Sequence, residues 1–180
     1  ALFDKYHFLN SEYFVNISRA QEDNNLHIVL EAFRALPDNK LVMISNWDIS
    51  QYGIDLKKAY KNIYPNIYIL DAIYDLKEIN AIRGNTKAYI HSHSYCGTAP
   101  SLVEAMSIGI PIISFDVPTN RETTQNKAFY FGNGDELIKI IKTLNSDLLN
   151  KNRLAMKKIA DLEYTWENIA NKYAKLFFSL

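Results

Sequence analysis

The sequence predicts an α/β fold: a Rossmann-like parallel sheet with helices on both faces. Short apolar runs alternate with helix-period segments from one end of the chain to the other, the pattern of βαβ units. Those runs are nearly continuous in apolar residues, as strands buried on both faces require. The chain has 180 residues, of which 48% are hydrophobic and 13% aromatic. That is material for one core, so residues 1–180 read as a single domain.

The elements follow in order. Residues 13–18 (YFVNIS) read as the first strand. In LHIVLEAFRAL, the residues Leu26, Val29, Leu30 and Phe33 recur at i, i+3, i+4 and i+7, one apolar face of a helix. Residues 41–45 (LVMIS) are the second strand, 54–61 a short helix and 66–70 (NIYIL) the third strand. Asp75 and Glu78 form a D-x-x-E capping box that opens a helix through Ile82. Residues 88–91 (AYIH) are the fourth strand. Pro100 suits the first turn of a helix running to about Ser107; Gly109 stops it and Pro111 prevents continuation. Residues 112–115 (IISF) make the fifth strand and 128–131 (AFYF) a short sixth. From Asp135 the chain reads as two or three helices. The last of them carries Trp166, Ile169, Tyr173, Leu176 and Phe177 on one stripe. This stripe either packs on its own domain or meets a partner domain.

Composition removes several classes of function. Lys+Arg and Asp+Glu are both 20, so the net charge is zero, which argues against a general nucleic-acid binder. The single cysteine excludes an intrachain disulfide and a Cys-based zinc site, and fits a reducing, cytoplasmic compartment. No apolar run approaches the ~18–20 residues of a membrane span, and the start has no signal-peptide pattern.

In open α/β sheets ligands bind beyond the carboxyl ends of the strands, which directs attention to the loops after Ser18, Ser45, Leu70, His91 and Phe115. The densest is HSHSYCGTAPSLVEAMSIGIPIISFDV, residues 91–117. A strand ends, Gly97, Thr98 and Ala99 turn the chain, and a helix begins at Pro100. Free backbone N–H groups and the positive end of the helix dipole make this an anion site. Gly97 allows close approach of the backbone. Glu104, early in the helix, is placed to accept hydrogen bonds from sugar hydroxyls. Phosphate plus hydroxyls describes a nucleotide or a nucleotide-sugar. The alternative is an ordinary strand–turn–helix loop with a Glu placed for the dipole.

The run G-T-x-P-S-L-x-E-A-M-x-x-G-x-P-I-I resembles the signature of the C-terminal domain of retaining family 4 (group 1) glycosyltransferases of the GT-B fold. Residues 22–33, 69–83 and 115–131 resemble the bacterial rhamnosyltransferase-like subgroup, which acts in capsule, exopolysaccharide and O-antigen synthesis. The resemblance implies the donor-binding half of a two-domain enzyme, with the N-terminal acceptor-binding domain absent from this chain. It implies transfer of a hexosyl or rhamnosyl group from a dTDP-, UDP- or GDP-linked donor to a glycan or lipid-linked acceptor, with retention at the anomeric carbon. The family's mechanism is front-face departure and attack, the leaving phosphate serving as base. No cofactor or metal is expected, and this half alone is expected to be inactive. The implied place is the cytoplasm at the inner face of the cell membrane, which allows peripheral membrane contact by the full-length protein.

The resemblance also assigns residues. Glu104 matches the family's second Glu, which holds the ribose hydroxyls. The first Glu falls on Cys96, so that carboxylate is missing. Gly97, Thr98 and Ala99, leading into Pro100 and Ser101, match the loop that meets the sugar and diphosphate. Arg19 matches the Arg that contacts the diphosphate, a charge-assisted contact where charge develops in the transition state. Arg19 and Glu104 are therefore the implied catalytic pair. The family's Lys falls on Asn24 and the following Gly on Asn25, as in the rhamnosyltransferase-like subgroup. This leaves Arg19 to act with the helix amides, or brings in another cation such as Arg121. Residues 69–73, ending in Ile73, match the segment lining the base pocket, with Asp71 and Tyr74 at its border.

Blander readings stand beside these. Arg19 caps a carbonyl or pairs with a surface acid. His91 and His93, two apart, lack a third ligand for a metal and are polar cleft lining or donor contacts. Asn120, Arg121 and Glu122 form a solvated loop or line the cleft, and Trp47 and Tyr52 are packing or cleft edge. Two other functions remain open: a GT-B nucleotide-sugar epimerase, and a catalytically degenerate Rossmann-like binding module. A flavodoxin-like receiver would need acids at the end of the first strand, and residues 16–19 offer none.

Overall fold

A computed structural model describes residues 2–95 and 97–178. Six parallel strands form one sheet: β1 (Phe14–Ile17), β2 (Leu41–Ser45), β3 (Ile67–Asp71), β4 (Ala88–His91), β5 (Ile112–Phe115) and β6 (Phe129–Phe131). Their spatial order is β3-β2-β1-β4-β5-β6. This is the doubly wound order 3-2-1-4-5-6, so the winding reverses between β1 and β4.

Strand alternation builds two cores. Phe14, Leu41, Met43, Ala88, Ile90 and Ile113 face one side. There they meet α2 (Leu26–Arg34), α3 (Gln51–Tyr60) and α7 (Gly134–Thr143). Val15, Val42, Ile44, Tyr89 and Ile112 face the other. They meet α4 (Leu76–Gly84), α5 (Pro100–Ile108) and α8 (Ser146–Glu163). Consecutive residues of one strand therefore serve opposite cores. A short α1 (Leu2–Lys5), α6 (Pro118–Thr123) and α9 (Trp166–Phe178) complete the helices.

Several local signals act as the sequence implies. Asp75 accepts from the backbone N–H groups of Lys77 and Glu78 and so caps α4. The reciprocal arm of the box is used elsewhere: Glu78 takes Lys5 Nζ at 2.7 Å and the Tyr6 hydroxyl at 3.2 Å, tying the amino-terminal segment to α4. Gly109 ends α5 with φ 79°, a left-handed conformation that glycine adopts without strain. The stretch after β5 is not a plain solvated loop. It contains α6, and Asn120 is buried with its amide donating to the carbonyls of His93 (2.9 Å) and Phe115 (3.0 Å).

The reading of α9 as packed on its own domain is corrected. Trp166 is 87% exposed, Tyr173 62% and Phe177 72%. Among the described residues no helix is long and apolar enough to cross a membrane.

Candidate functional site

At the switch between β1 and β4 the carboxyl ends of the strands open onto a cavity of about 550 Å³. The ends of β1 to β4 each supply part of its wall. Ile17, Ser18 and Arg19 follow β1; Ile44, Ser45 and Asn46 come from β2; Ala72, Ile73 and Tyr74 follow β3; His93 follows β4. The start of α5 closes the wall with Thr98, Ala99, Pro100, Ser101 and Glu104.

A buried polar network fixes these loops. Asn16, in the middle of β1, donates to the carbonyl of Ile90 (2.9 Å) and to Ser92 Oγ (3.0 Å), and accepts from Ser18 Oγ (2.8 Å). Ser92 in turn donates to the Asn24 carbonyl, and its own carbonyl accepts from Asn25 Nδ2 at 3.0 Å. Asn25 adopts φ 50° and ψ 35°. The family pattern places Gly here, and Asn is among the few other residues that tolerate this left-handed conformation. The Asn-Asn version therefore keeps the turn and adds a bond to the end of β4.

Nine of the residues singled out from sequence stand on the cavity wall: Arg19, Ile73, Tyr74, His93, Thr98, Ala99, Pro100, Ser101 and Glu104. Asn24 does not. It is buried behind the loop, and its amide is taken by the Arg19 carbonyl at 2.6 Å. Gly97 lines a neighbouring cavity with Tyr95, Val117 and Pro118. A Cβ built at Gly97 meets no protein atom within 4 Å, so no internal contact demands a glycine there. Cys96 lies outside the described residues. Arg121 stands off this cavity wall: Asp116 holds its guanidinium through Nε and Nη2 (2.8 Å), and its charge lies over the Tyr130 ring at 4.2 Å. Trp47 is packing, buried with Nε1 donating to the Leu70 carbonyl at 2.8 Å.

The wall has distinct chemistry. Arg19 is exposed, and among the described residues no carboxylate pairs with it. Ser45 Oγ and His93 Nε2 are buried without a hydrogen-bond partner among the described residues. Both atoms lie enclosed, although their residues help to form the wall. Burial holds His93 below its ordinary pKa; Arg19 adds to the effect and Asp23 opposes it. His91, its ring tilted 34° to that of His93 at 4.6 Å, is pushed down to about 3 by burial and then by its neighbour. Both imidazoles are therefore neutral near pH 7. Glu104 points one oxygen at Arg83 Nη2, 2.7 Å away. Arg83 was not legible as a site residue, because its partner is on another helix and no spacing links them. Among the described residues no group of three or more His, Cys, Asp or Glu side chains is placed to hold a metal.

The strand order and the cavity define one class: a Rossmann-like domain with a ligand cavity at its switch point. The family model for glycosyl transferases group 1 matches residues 2–161, and the chain belongs to that family. Among solved structures it is similar to HepE from Anabaena in complex with UDP (TM-score 0.83, 16% identity), covering 99% of this chain and 52% of HepE. The UDP-glucose complex of HepE gives 0.82 and 18%, with the same coverage. Sucrose-phosphate synthase from Thermosynechococcus elongatus gives 0.81 and 15%, covering 99% of this chain and 48% of the synthase. The chain thus spans about half the length of these proteins. No curated protein matches the sequence significantly.

Proposed function

We propose that the chain is the nucleotide-sugar-binding half of a retaining glycosyltransferase. The observation that carries this is the convergence on one cavity of Arg19, the amino-terminal end of α5 and Glu104. The diphosphate lies against Arg19 and the first N–H groups of α5, which together supply positive charge without a metal. The ribose hydroxyls donate to Glu104. The base rests on Ile73 and Tyr74. Solved neighbours that hold UDP and UDP-glucose support this reading.

With an acceptor-binding domain facing the cavity, the bond between the anomeric carbon and the diphosphate breaks. The acceptor hydroxyl attacks from the same face and gives its proton to the departing phosphate oxygen. Arg19 and the helix amides stabilise the charge that develops on the leaving group. The likeness of residues 22–33, 69–83 and 115–131 to rhamnosyltransferase-like enzymes supports a rhamnosyl donor and a bacterial surface glycan as product. Calorimetry with UDP, dTDP and GDP tests the donor site. The expected result is binding of at least one of them, weakened about tenfold or more by Glu104→Ala through loss of charge-assisted hydrogen bonds. Absence of binding by all three would overturn the assignment.

A further inference from the structure

We propose that Arg83 is a positioning residue of the donor site, holding the Glu104 carboxylate in the orientation that receives ribose hydroxyls. The inference rests on the nucleotide reading of the cavity given above. Arg83 lies in the last turn of α4 and Glu104 early in α5, so the pair joins two helices 21 positions apart in sequence. Its geometry is unequal. The Arg83 side chain is only 12% exposed, whereas that of Glu104 is 53% exposed and lines the cavity. Arg83 stands outside the cavity wall.

A half-exposed Glu on a helix exchanges among rotamers, and fixing one of them costs side-chain entropy when a ligand binds. Arg83 removes much of that cost in advance. Its Nη2 holds Glu104 Oε2 at 2.7 Å, while its Nε is buried without a hydrogen-bond partner. Among the described residues no other carboxylate pairs with Arg83. A carboxylate oxygen accepts more than one hydrogen bond, so Oε1 and the remaining lone pair of Oε2 keep accepting capacity on a side chain that lines the cavity. Arg83 is itself set from below by the buried face of its own helix, where Ile82 and Ile79 enter the core. The planar guanidinium on this buried base keeps the direction of its donors, which a lysine would not.

The test is a comparison of UDP with its analogue lacking both ribose hydroxyls, on wild type, Arg83→Gln, Arg83→Lys, Glu104→Gln and the double variant Arg83→Gln/Glu104→Gln. Wild type is expected to prefer UDP by about tenfold or more, the worth of hydrogen bonds to a charged group. Arg83→Gln should collapse that preference toward the value of Glu104→Gln, with Arg83→Lys intermediate. The double variant should be no worse than Glu104→Gln alone. A purely structural Arg83 would weaken both nucleotides equally and leave the preference intact, and that result would overturn the proposal. So would full additivity in the double variant. Wild type that binds neither compound would overturn the proposal, and the nucleotide reading with it where dTDP and GDP also fail to bind; circular dichroism of each variant confirms that the comparison is among folded proteins.

Discussion

His91 is almost fully enclosed, between the Tyr89 ring at 6.2 Å and the His93 ring at 4.6 Å. Its pKa of about 3 in the folded protein lies below the ordinary 6.5, so the unfolded chain takes up a proton that the native state refuses. The contribution of neutral His91 is therefore whole above pH 6.5 and lost as pH falls toward about 3. Urea unfolding between pH 7 and 4.5 should lose up to about 1.4 kcal/mol per pH unit more in wild type than in His91→Gln. Parallel stability profiles would remove the argument. At Asn25 the strain is conformational. Asn25→Ala keeps φ 50° only at a penalty of about 1–2 kcal/mol and also loses the bond to Ser92. Asn25→Gly loses the bond but not the conformation, so its melting temperature should fall less.

At the scale of elements, the cavity depends on close contacts between them. Gly53, in the first turn of α3, faces the Trp47 carbonyl so closely that a Cβ would sit 2.2 Å from its oxygen and 2.7 Å from Ala20 Cβ. Gly53→Ala should therefore destabilise by about 1–3 kcal/mol despite alanine's better helix propensity, measured as a lower urea midpoint. Because Ala20 and Trp47 adjoin Arg19 and Asn46 on the cavity wall, nucleotide affinity should fall with it. The elements differ in how openly the sequence announces them. Strands 41–45, 88–91 and 112–115 were legible to the residue, since apolar runs buried on both faces stop at polar or turn-forming neighbours. The helix 118–123 was not, because PTNRET has no apolar period and is held by Asn120 reaching back to His93 and Phe115. The same distinction runs through the site. Arg19 and the residues from Thr98 to Ser101 lie where local chain direction puts them, whereas Arg83 enters only through packing of α4 beside α5.

For the whole molecule, the helix that ends the described chain behaves unlike the rest. Its aromatic residues Trp166, Tyr173 and Phe177 lie in water, and it falls beyond residue 161, where the family match ends. Deleting residues 166–180 should change the unfolding free energy by no more than about 1 kcal/mol, because none of its described residues is buried. It should also reduce self-association in light scattering, since exposed aromatic surface is removed. A large loss of stability would show that α9 supports the sheet. The zero net charge acquires a local meaning too: an isolated guanidinium on the cavity wall gives nucleotide binding a salt dependence that the overall balance of charge conceals.

The seam between β1 and β4 has a consequence in time. β1 pairs with β2 across a short connection, but its other edge waits for β4, and Asn16 meets Ile90 and Ser92 across sequence separations of 74 and 76. Closing so long a loop is entropically slow, and it precedes any reward from the contacts it permits. Because Arg19 stands on one side of that seam and Thr98 to Glu104 on the other, the two sides come within reach of one small molecule only once the loop has closed. A nucleotide that spans them binds chains that have finished threading and ignores those that have not. The bound fraction during refolding is thus a clock for the closing of that seam.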